Sequence, residues 1–499
     1  MKKEFKYLLI VTICMLLGSK SFAAKTWLND LKSLYTSKQA IIYEVNIRTF
    51  NANDKDGNGI ITKGEEAGNF VNAIKNLDEL AQAGINTIKI MPFLPVSKTH
   101  AKGTAGSLYA PVAFDKINPQ LKSGKNNTID DLKRFVNECH KRKIRVIADL
   151  PGGAGYDLYS SNPNLFLKDQ SGQPLNAENQ DDVLLLNSGT EQSINKDVYK
   201  LYDNFVKLML DVSVDGIAAD MPETKTYTFW KKLIDETRRQ DGEFLFLADM
   251  HNSTMPITTK EKLLEAGFDG CNGEYKNLNI EEIIEKAKKD FSLNQKQKKS
   301  SYFDYATYNT TSPTAKKGPD FTKQIIWLET TLPLNVYYID GLTTGDNYMY
   351  ELSNKKASYT LTDDKYYYMQ RGQMDIYNLS RKPEGNDYDI YANYIAANRV
   401  RFTISDVITK GNLIKLKTSN PNIQAFSRSY NNTTVVTIMN TENSELEKVK
   451  IKVPHLSADQ AAIPIKVSAN IPLLQKGEFL TNLAPYEIQI FLFQGFEIK

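Results

Sequence analysis

Residues 214–220 read VDGIAAD, a nearly continuous apolar run that ends in Asp220. Four further runs share this character and lie at residues 41–50, 85–93, 144–150 and 244–249. Continuous apolarity, in place of the alternation of a half-exposed sheet, is typical of parallel strands that are covered on both faces. Amphipathic helical patterns separate the runs. Repeated strand–helix units of this length predict an α/β fold with a parallel sheet, for which a closed eight-stranded barrel is one solution.

Two of these runs end in an aspartate, Asp220 and Asp249, and a third has Asp149 one residue before its end. In a barrel of parallel strands, functional side chains gather at the carboxyl ends of the strands, so we expect the three carboxylates at one rim. Each aspartate taken alone could simply cap the loop or helix that follows it. Three together favour a binding or catalytic site, because clustered carboxylates repel each other unless they bind something.

The pattern changes near residue 403. Strand-like runs separated by turn residues follow, without a convincing helix, and read NIQAFSRSY, TVVTIMN, KVKIKV and YEIQIFLF. Short strands at this spacing predict a C-terminal antiparallel β domain at 403–499.

The composition is that of an ordinary soluble protein. Hydrophobic residues make up 41% and charged residues 24% of the 499 positions, a length that predicts two or three domains. The net charge of +3 arises from 62 basic and 59 acidic residues, and no block rich in Lys and Arg occurs. A dedicated nucleic-acid binder would show a clustered basic excess, so nucleic acid is not an expected partner.

The N-terminus has the features of a secretory signal peptide: a basic start (MKKEFK), an apolar core (YLLIVTICMLLG) and a small-residue site that ends at Ala23. The apolar core is too short to span a bilayer, and no later segment reaches transmembrane length. We therefore expect residues 1–23 to be removed and the mature chain to be exported and soluble. An uncleaved anchor is the alternative. The pattern does not distinguish periplasm, cell surface and medium.

Two cysteines, Cys139 and Cys271, lie outside the signal peptide. An oxidising destination permits a disulfide between them, but nothing in the sequence requires one. Cys139 falls on the apolar face of a predicted helix, with Leu132, Phe135 and Val136 at helical spacing, so we expect a buried thiol.

Residues 54–65, DKDGNGIITKGE, match the spacing of a calcium-binding loop at every position. The ligands that this spacing assigns are Asp54, Asp56, Asn58, the carbonyl oxygen of Ile60, Thr62 and Glu65. The alternative is a solvated acidic turn. Since the loop follows a predicted strand and no second loop of this kind accompanies it, the sequence predicts a structural Ca²⁺ ion and not a calcium sensor.

Several segments, in order along the chain, resemble motifs of the α-amylase superfamily, glycoside hydrolase family 13. The strand motifs are IIYEVNIRTF (41–50), INTIKIMPFLPV (85–96), IRVIADL (144–150) and NVYYIDGLTTGD (335–346). The other motifs are the metal loop DKDGNGIIT, the tyrosine-bearing SLYAPVAFDKINP (107–119) and the domain end LAPYEIQIFLF (483–493). The resemblance covers nearly all of the mature chain.

This resemblance implies a (β/α)8 TIM barrel over residues 24–402, a short excursion after its third strand at about 151–195, and the β domain at 403–499. It implies retaining chemistry on α-glucosidic bonds, in which one carboxylate attacks the anomeric carbon and a second, about 5–5.5 Å away, protonates the leaving oxygen. A third acid of the family binds sugar hydroxyls. The implied partner is an oligo- or polysaccharide of the α-glucan type.

The two catalytic positions depart from the family pattern. Asp220 occupies the nucleophile position, but Ala218 stands where an arginine should orient that nucleophile and keep it ionised. Asp249 stands where the family has the acid/base glutamate. Aspartate is one methylene shorter, and a misplacement of about 1 Å can cost on the order of a hundredfold in rate.

The seventh-strand motif of the family, asparagine–histidine–aspartate, aligns with YNTTSP. Asn309 is retained as a substrate-binding residue, while Thr310 and Thr311 replace the histidine and the third acid. Threonine can form a hydrogen bond with a sugar hydroxyl, but it cannot offset the charge of the transition state.

In the third-strand motif Asp149 is retained as a substrate-binding residue, but Gly153 and Ala154 replace an asparagine–histidine pair. The replacement removes a substrate-binding histidine and a second calcium site. Tyr109 matches the tyrosine that stacks on the sugar beside the scissile bond, and a packing role is the alternative.

Three functions are therefore open. The first is a degenerate family member that binds α-glucan-type saccharides with weak or no hydrolysis. The second is an active α-glycosidase or transglycosylase that uses Asp220 as nucleophile and Asp249 as acid/base. The third is a platform for protein–protein interaction. The sequence does not determine the sugar, its linkage or the oligomeric state.

Overall fold

The computed structural model describes residues 27–53, 55, 64–101, 106–178, 180–250, 256–308, 310–346, 387–453, 462–467, 473–475 and 477–494. The predicted signal peptide, Asn309 and the predicted calcium ligands other than Glu65 lie outside these residues. Within the described residues, no helix has both the length and the apolar character needed to cross a bilayer.

A curved parallel sheet forms the centre of the fold. The strands up to residue 339 are β1 (Ile41–Val45), β2 (Thr87–Ile90), β3 (Arg145–Leu150), β4 (Gly153–Ala154), β5 (Asn176–Ala177), β6 (Gln180–Leu185), β7 (Gly216–Asp220), β8 (Leu245–Asp249), β9 (Gly270–Asn272) and β10 (Val336–Ile339). Seven of them pair in the order β10–β1–β2–β3–β7–β8–β9, each with its neighbour in parallel. Their burial on both faces explains the continuous apolarity of the sequence runs.

The segment 300–303 closes this sheet into a barrel. On one side, the Ser300 amide donates to the carbonyl oxygen of Asp269 at 3.1 Å. On the other side, Tyr302 forms a parallel bridge with Asn335, whose amide donates to the carbonyl oxygen of Ser301 at 2.9 Å. This segment takes the place of the seventh barrel strand, so the predicted eight-stranded barrel is confirmed.

Helices surround the barrel. They are α1 (Leu31–Thr36), α2 (Phe70–Ala73), α3 (Leu77–Gln82), α4 (Thr128–Lys141), α5 (Tyr156–Ser161), α6 (Lys196–Asp211), α7 (Tyr227–Arg238), α8 (Ile257–Ala266), α9 (Ile280–Gln297), α10 (Pro313–Lys317), α11 (Pro319–Thr331), α12 (Asp387–Thr403) and α13 (Ser405–Lys410). Short 3₁₀ turns lie at Ile74–Asn76, Pro119–Leu121, Pro163–Leu165, Pro222–Thr224 and Leu342–Thr344. The side chain of Asn127 caps α4, and the predicted apolar face of that helix is buried, Cys139 included. Cys139 and Cys271 are both free and buried.

Between β3 and β7 the chain forms a small antiparallel sheet in the order β4–β6–β5. It lies inside the region where the resemblance places an excursion from the barrel. The connection from β3 thus leaves the barrel, adds this sheet and returns through α6, whose N-cap is the side chain of Asn195.

An antiparallel region follows α13, a short helix that the strand-like sequence runs did not predict. Its strands are β11 (Asn412–Lys415), β12 (Lys417–Thr418), β13 (Ile423–Tyr430), β14 (Thr433–Asn440), β15 (Leu446–Lys452), β16 (Ile463–Lys466), β17 (Leu473–Gln475), β18 (Glu478–Leu483) and β19 (Ile488–Gln494). They form one sheet in the order β11–β13–β14–β19–β16 and a second in the order β12–β15–β18–β17. Apolar side chains from both sheets form one buried cluster, so the predicted antiparallel β domain is confirmed.

Trp27, the first described residue, packs and forms a hydrogen bond on the outside of the barrel. Trp27 donates from Nε1 to Asp215 Oδ1 at 2.7 Å, and its ring stacks on His140 with 4.0 Å between centroids. The Asp215 carboxylate is 1% exposed and also contacts His140 Nε2 at 2.8 Å and the Val146 amide at 2.8 Å. One buried carboxylate therefore connects the N-terminal segment, α4 and β3.

We expect Trp27→Ala to lower the free energy of unfolding by about 1–2 kcal/mol, because it removes a stacked ring and a hydrogen bond to a charged group. Trp27→Phe retains an aromatic ring but removes the hydrogen bond. Its loss in the free energy of unfolding should be about half that of Trp27→Ala, which is the usual contribution of one hydrogen bond. Urea-induced unfolding of the three proteins measures both effects. Equal midpoints for all three would show that the N-terminal segment does not stabilise the barrel.

Candidate active site

Charged side chains fill the carboxyl end of the barrel interior. The layer below them is apolar and contains Ile42, Ile147, Ala218, Leu247 and Tyr337. Two residues further along β1, β3, β7 and β8, on the same interior face, lie Glu44, Asp149, Asp220 and Asp249, and Lys89 of β2 lies among them. Since functional side chains of such barrels gather at this end, the layer marks the candidate site.

These side chains line a pocket at the mouth of the barrel. Its wall also includes Tyr109, Lys276, Tyr302, Asp304, Tyr308 and Tyr337. The structure thus brings together Asp149, Asp220, Asp249 and Tyr109, the described site residues that the sequence predicted. The pocket is small and strongly charged.

Lys89 is the centre of the charged layer and was not predicted. Its Nζ lies 2.5 Å from Glu44 Oε1, 2.9 Å from Asp149 Oδ1 and 3.1 Å from Asp249 Oδ2. Burial by itself would lower the pKa of Lys89, but the surrounding carboxylates of Asp149, Glu44 and Asp249 raise that pKa well above its ordinary value. One cation on β2 therefore bridges carboxylates from three other strands.

Each of these carboxylates also accepts a second hydrogen bond. The hydroxyl of Tyr337 donates to Glu44 Oε2, and that of Tyr109 donates to Asp149 Oδ2 at 3.0 Å. Asn272 Nδ2 donates to Asp249 Oδ1 at 3.1 Å. A buried ion pair is stable only when such additional donors satisfy the remaining lone pairs. The three donors do so in part, since Asp149 Oδ1 has no hydrogen-bond partner among the described residues and only its ion-pair contact with Lys89.

Asp220 has a different environment. It is 7% exposed, and its Oδ2 has no hydrogen-bond partner among the residues that the structure describes. Burial, reinforced by the nearby carboxylates of Glu223 and Asp249, raises the pKa of Asp220 to about 7. The fully buried methyl group of Ala218 lies where the family pattern places an arginine, so no cation from its own strand opposes this rise.

The backbone around Asp220 is tightly constrained. Asp220 pairs with Asp249 across the parallel strands β7 and β8, and the amide of Met221 donates to the carbonyl oxygen of Asp249 at 3.1 Å. Met221 has φ of 45°, in the left-handed region that non-glycine residues rarely adopt. A Cβ atom on Gly152 would lie 2.2 Å from the Asp220 carbonyl oxygen, so only glycine fits there. Strained backbone of this kind concentrates at functional sites.

Tyr109, the predicted sugar-stacking residue, is buried and already stacked. Its ring lies on the ring of Tyr308, with 5.1 Å between centroids and 17° between planes. A sugar could therefore reach that face only if Tyr308 moved aside. The hydrogen bond from Tyr109 to Asp149 fixes the ring in this position.

Asp304 is a carboxylate that the sequence comparison did not assign. It follows the closing segment 300–303 directly, lines the pocket and accepts a hydrogen bond from the Tyr275 amide at 3.0 Å. Burial raises the pKa of Asp304 to about 6, although the ammonium of Lys276 opposes the rise. The pocket therefore holds a further acid, although Thr311 occupies the position of the third acid in the aligned motif.

Sterics explain why Gly153 replaces the asparagine of the third-strand motif. Gly153 and Ala154 form β4 and pair with Leu185 and Leu184 of the excursion sheet. A Cβ atom on Gly153 would lie 2.5 Å from Val183 Cγ1 and 2.7 Å from the Leu184 carbonyl oxygen. No side chain fits at this position, because the excursion sheet packs against it.

The described ends of the predicted calcium loop meet. Asn53 and Glu66 form an antiparallel bridge, and the Lys55 amide donates to Glu65 Oε1 at 2.7 Å. This arrangement turns the twelfth-position carboxylate toward the start of the loop, as a closed shell of oxygen ligands would require. The other five ligands lie outside the described residues, so the Ca²⁺ ion stays a prediction.

Comparisons with known proteins relate parts of this chain to enzymes. No protein-family model matches the sequence. The chain is 25% identical over 273 residues to an α-1,4-glucan:maltose-1-phosphate maltosyltransferase of Arcanobacterium haemolyticum, covering 50% of this chain and 38% of that one. It is 31% identical over 134 residues to the chloroplastic isoamylase SU1 of Zea mays, covering 25% and 16%. The chain thus spans well under half the length of both relatives.

Solved structures agree with the fold along most of the chain. A noncanonic maltogenic α-amylase of Thermotoga neapolitana superposes with a TM-score of 0.68 at 17% identity, covering 92% of this chain and all of that one. An α-amylase of Geobacillus thermoleovorans, solved with acarbose, gives 0.65 at 15% identity, covering 92% and 99%. At this identity the superpositions establish the barrel and the β domain, and the chemistry depends on the residues themselves.

Proposed function

We propose that this chain, whose resemblance to the α-amylase superfamily is confirmed in sequence and in fold, binds α-glucan-type saccharides at the pocket and hydrolyses them weakly or not at all. It would do so as an exported protein of carbohydrate metabolism. The proposal depends on the charge state of the two catalytic positions.

The surroundings of those positions do not suit retaining hydrolysis. That mechanism starts with an ionised nucleophile and an acid that is free to protonate the leaving oxygen. Here a pKa of about 7 leaves about half of Asp220 protonated at neutral pH and most of it protonated below. Asp249, in the position of the acid, is held by an ion pair with the Lys89 ammonium at 3.1 Å and by a hydrogen bond from the Asn272 amide at 3.1 Å. The ion pair between Lys89 and Asp249 is the observation that carries the proposal.

The other side chains that line the pocket are consistent with saccharide binding without turnover. The pocket retains acceptors and hydroxyl donors that suit sugar hydroxyls, among them Asp149, Asp304 and Tyr109. It lacks the arginine, the histidines and the glutamate that the family uses for catalysis. A barrel can keep its fold after such losses, because stability and chemistry depend on different residues.

A second candidate function is a working, altered α-glycosidase or transglycosylase. The pairing of β7 with β8 favours this second function, because Asp220 and Asp249 are direct partners on these strands and line the same pocket. The strands of a sheet lie about 4.8 Å apart, which is close to the carboxylate spacing of a retaining enzyme. The relatives in sequence are named as enzymes.

The deciding experiment follows product release and heat of binding together, with residues 24–499 and a panel of α-linked glucose oligosaccharides. Asp220→Asn is measured beside the parent. We expect binding without turnover and equal affinities in the two proteins. Hydrolysis or transfer that disappears in Asp220→Asn would overturn the proposal in favour of the altered enzyme. Neither binding nor turnover would point to the protein–protein platform.

We also propose that the loop at 54–65 holds a structural Ca²⁺ ion. Calcium should copurify with the parent, and chelation should lower its melting temperature, because an ion at a hundredfold excess over its dissociation constant stabilises by about 2.7 kcal/mol. Asp54→Ala/Glu65→Ala should contain no calcium and should not respond to the chelator. The exposed Asp130→Ala is the control. A parent that contains no calcium and ignores the chelator would refute the site.

Export is proposed from the sequence pattern at residues 1–23. The test is the N-terminal sequence of protein recovered outside the cytoplasm, which should begin at Ala24. Recovery of uncleaved chain in the membrane fraction would instead support the anchor.

A further inference from the structure

A second and larger cavity lies beside the pocket. It is an open groove between the barrel and the β domain. The barrel side is formed by the loop after β9 and by α10 and α11, and the other side by residues around β13 and the end of β14. We call it the interdomain groove.

The interdomain groove and the pocket share two stretches of chain. Lys276 lines the pocket and Asn277 the groove, while Asp304 lines the pocket and Tyr305 the groove. Neighbouring Cα atoms are 3.8 Å apart, so the two cavities lie within the reach of neighbouring side chains at both places.

Gln424 gives the groove an unused hydrogen-bond acceptor. This residue of β13 is only 8% exposed and lines the groove. Its Nε2 donates to the carbonyl oxygen of Pro421 at 3.2 Å, which fixes the orientation of the amide. Its Oε1 has no partner among the described residues, although buried polar atoms are almost always bonded.

Aromatic rings form the opposite wall of the groove. Tyr305 and Phe321 are 5% and 3% exposed and present ring surface to it. The ammonium groups of Lys316 and Lys317 lie 5.0 Å from the centroids of the Tyr305 and Phe321 rings, respectively. These lysines are flexible donors at the edge of the groove, and they can move from the ring faces to a ligand.

This combination suits a neutral ligand that carries many hydroxyl groups. Aromatic rings supply apolar surface, the orphan amide oxygen of Gln424 accepts from a hydroxyl, and the lysines donate to hydroxyl oxygens. The lining carries both Glu281 and Glu442 beside the lysines, so its charge favours neither an anion nor a cation.

We propose that the interdomain groove is a second saccharide site, which binds the far end of an α-glucan chain whose other end lies in the pocket. The assignment rests on the proposed function. Occupying two linked sites makes the second contact intramolecular, so long chains should bind more tightly than short ones.

The test compares an α-1,4-linked glucose disaccharide with the heptasaccharide by calorimetry. In Gln424→Met, which removes the acceptor and preserves the size of the side chain, affinity for the heptasaccharide should fall about threefold to tenfold, the worth of one hydrogen bond. Lys317→Met, which removes one of the two lysine donors at the edge of the groove, should act in the same direction. Affinity for the disaccharide should not change. Gln240→Met, at an exposed glutamine beyond the end of α7, is the matched control.

The outcomes separate this inference from the proposed function. If the parent binds both sugars and both groove variants bind the heptasaccharide as the parent does, the groove site is refuted and the pocket stands. Equal weakening for both sugars in a groove variant would also refute it, because the change would then act through the pocket. If the parent binds neither sugar, both proposals fail.

Discussion

Lys89→Met is expected to lower the free energy of unfolding by about 3–5 kcal/mol, the usual result of removing one partner from a buried ionic group. The ammonium of Lys89 contacts Glu44, Asp149 and Asp249 inside the barrel. Without it, three carboxylates would face each other in a site that is almost closed to water. Urea-induced unfolding at neutral pH measures the loss.

The way in which the stability loss of Lys89→Met changes with pH shows whether charge repulsion or lost packing causes it. Burial raises the pKa of Asp149 well above its ordinary value, so this carboxyl takes up a proton early as the pH falls. The repulsion that Lys89→Met creates should then fade, and the difference from the parent should shrink. The exposed Lys133→Met on α4 is the matched control and should stay within about 0.5 kcal/mol of the parent at every pH. A loss in Lys89→Met that does not depend on pH would mean that lost packing, and not charge, is responsible.

The fold could be predicted from the sequence because its signal is repeated. Each buried parallel strand leaves an apolar run, and runs such as 214–220 and 244–249 end at the residues where β7 and β8 end. The closing segment 300–303 was harder to predict, because it forms a single bridge with Asn335 and relies on hydrogen bonds from neighbouring loops. Its sequence, SSYF, contains no long apolar run.

The site could be predicted only where a strand end or a motif marked a side chain. Asp220 and Asp249 end β7 and β8, while Asp149 lies one residue before the end of β3 and was assigned through the third-strand motif. The structure brings these three to one pocket. Glu44 and Lys89 hold the same position as Asp149, one residue before the ends of β1 and β2, but no motif residue was assigned inside the runs IIYEV and TIKI. The signal was nevertheless present, since a charge on a strand covered on both faces requires an opposite charge inside the fold.

Other parts of the pocket had no sequence signal. Tyr308 covers Tyr109 because the loop after the closing segment folds inward. The hydrophobic periodicity of the sequence does not predict the path of such a loop. Asp304 lies seven positions before Thr311, the residue that the motif aligns with the third acid. Motif alignment follows sequence order, whereas the pocket is defined by which side chains the barrel end brings together.

Asp220→Asn is expected to stabilise the protein by up to about 4 kcal/mol at pH 8, since a shift of one pKa unit corresponds to about 1.36 kcal/mol. In the folded chain, burial raises the pKa of Asp220 to about 7, whereas an unfolded aspartate titrates near 3.9. Between these values the folded state binds more protons than the unfolded state, so this group lowers stability as the pH rises. Asparagine does not titrate, and the variant avoids that loss.

The gain should therefore be small at pH 4 and should grow until about pH 7, the pKa of the buried group. Thermal unfolding of the parent and variant across this range measures it, with the exposed Asp211→Asn of α6 as the matched control. Side chains that serve a function commonly reduce stability, so a large gain would mark Asp220 as a residue retained for what it does in the pocket. A variant that is no more stable than the parent at pH 8 would show that Asp220 ionises without cost. In that case Asp220 would be an ionised carboxylate at the nucleophile position, and the altered enzyme would become the better account of this barrel.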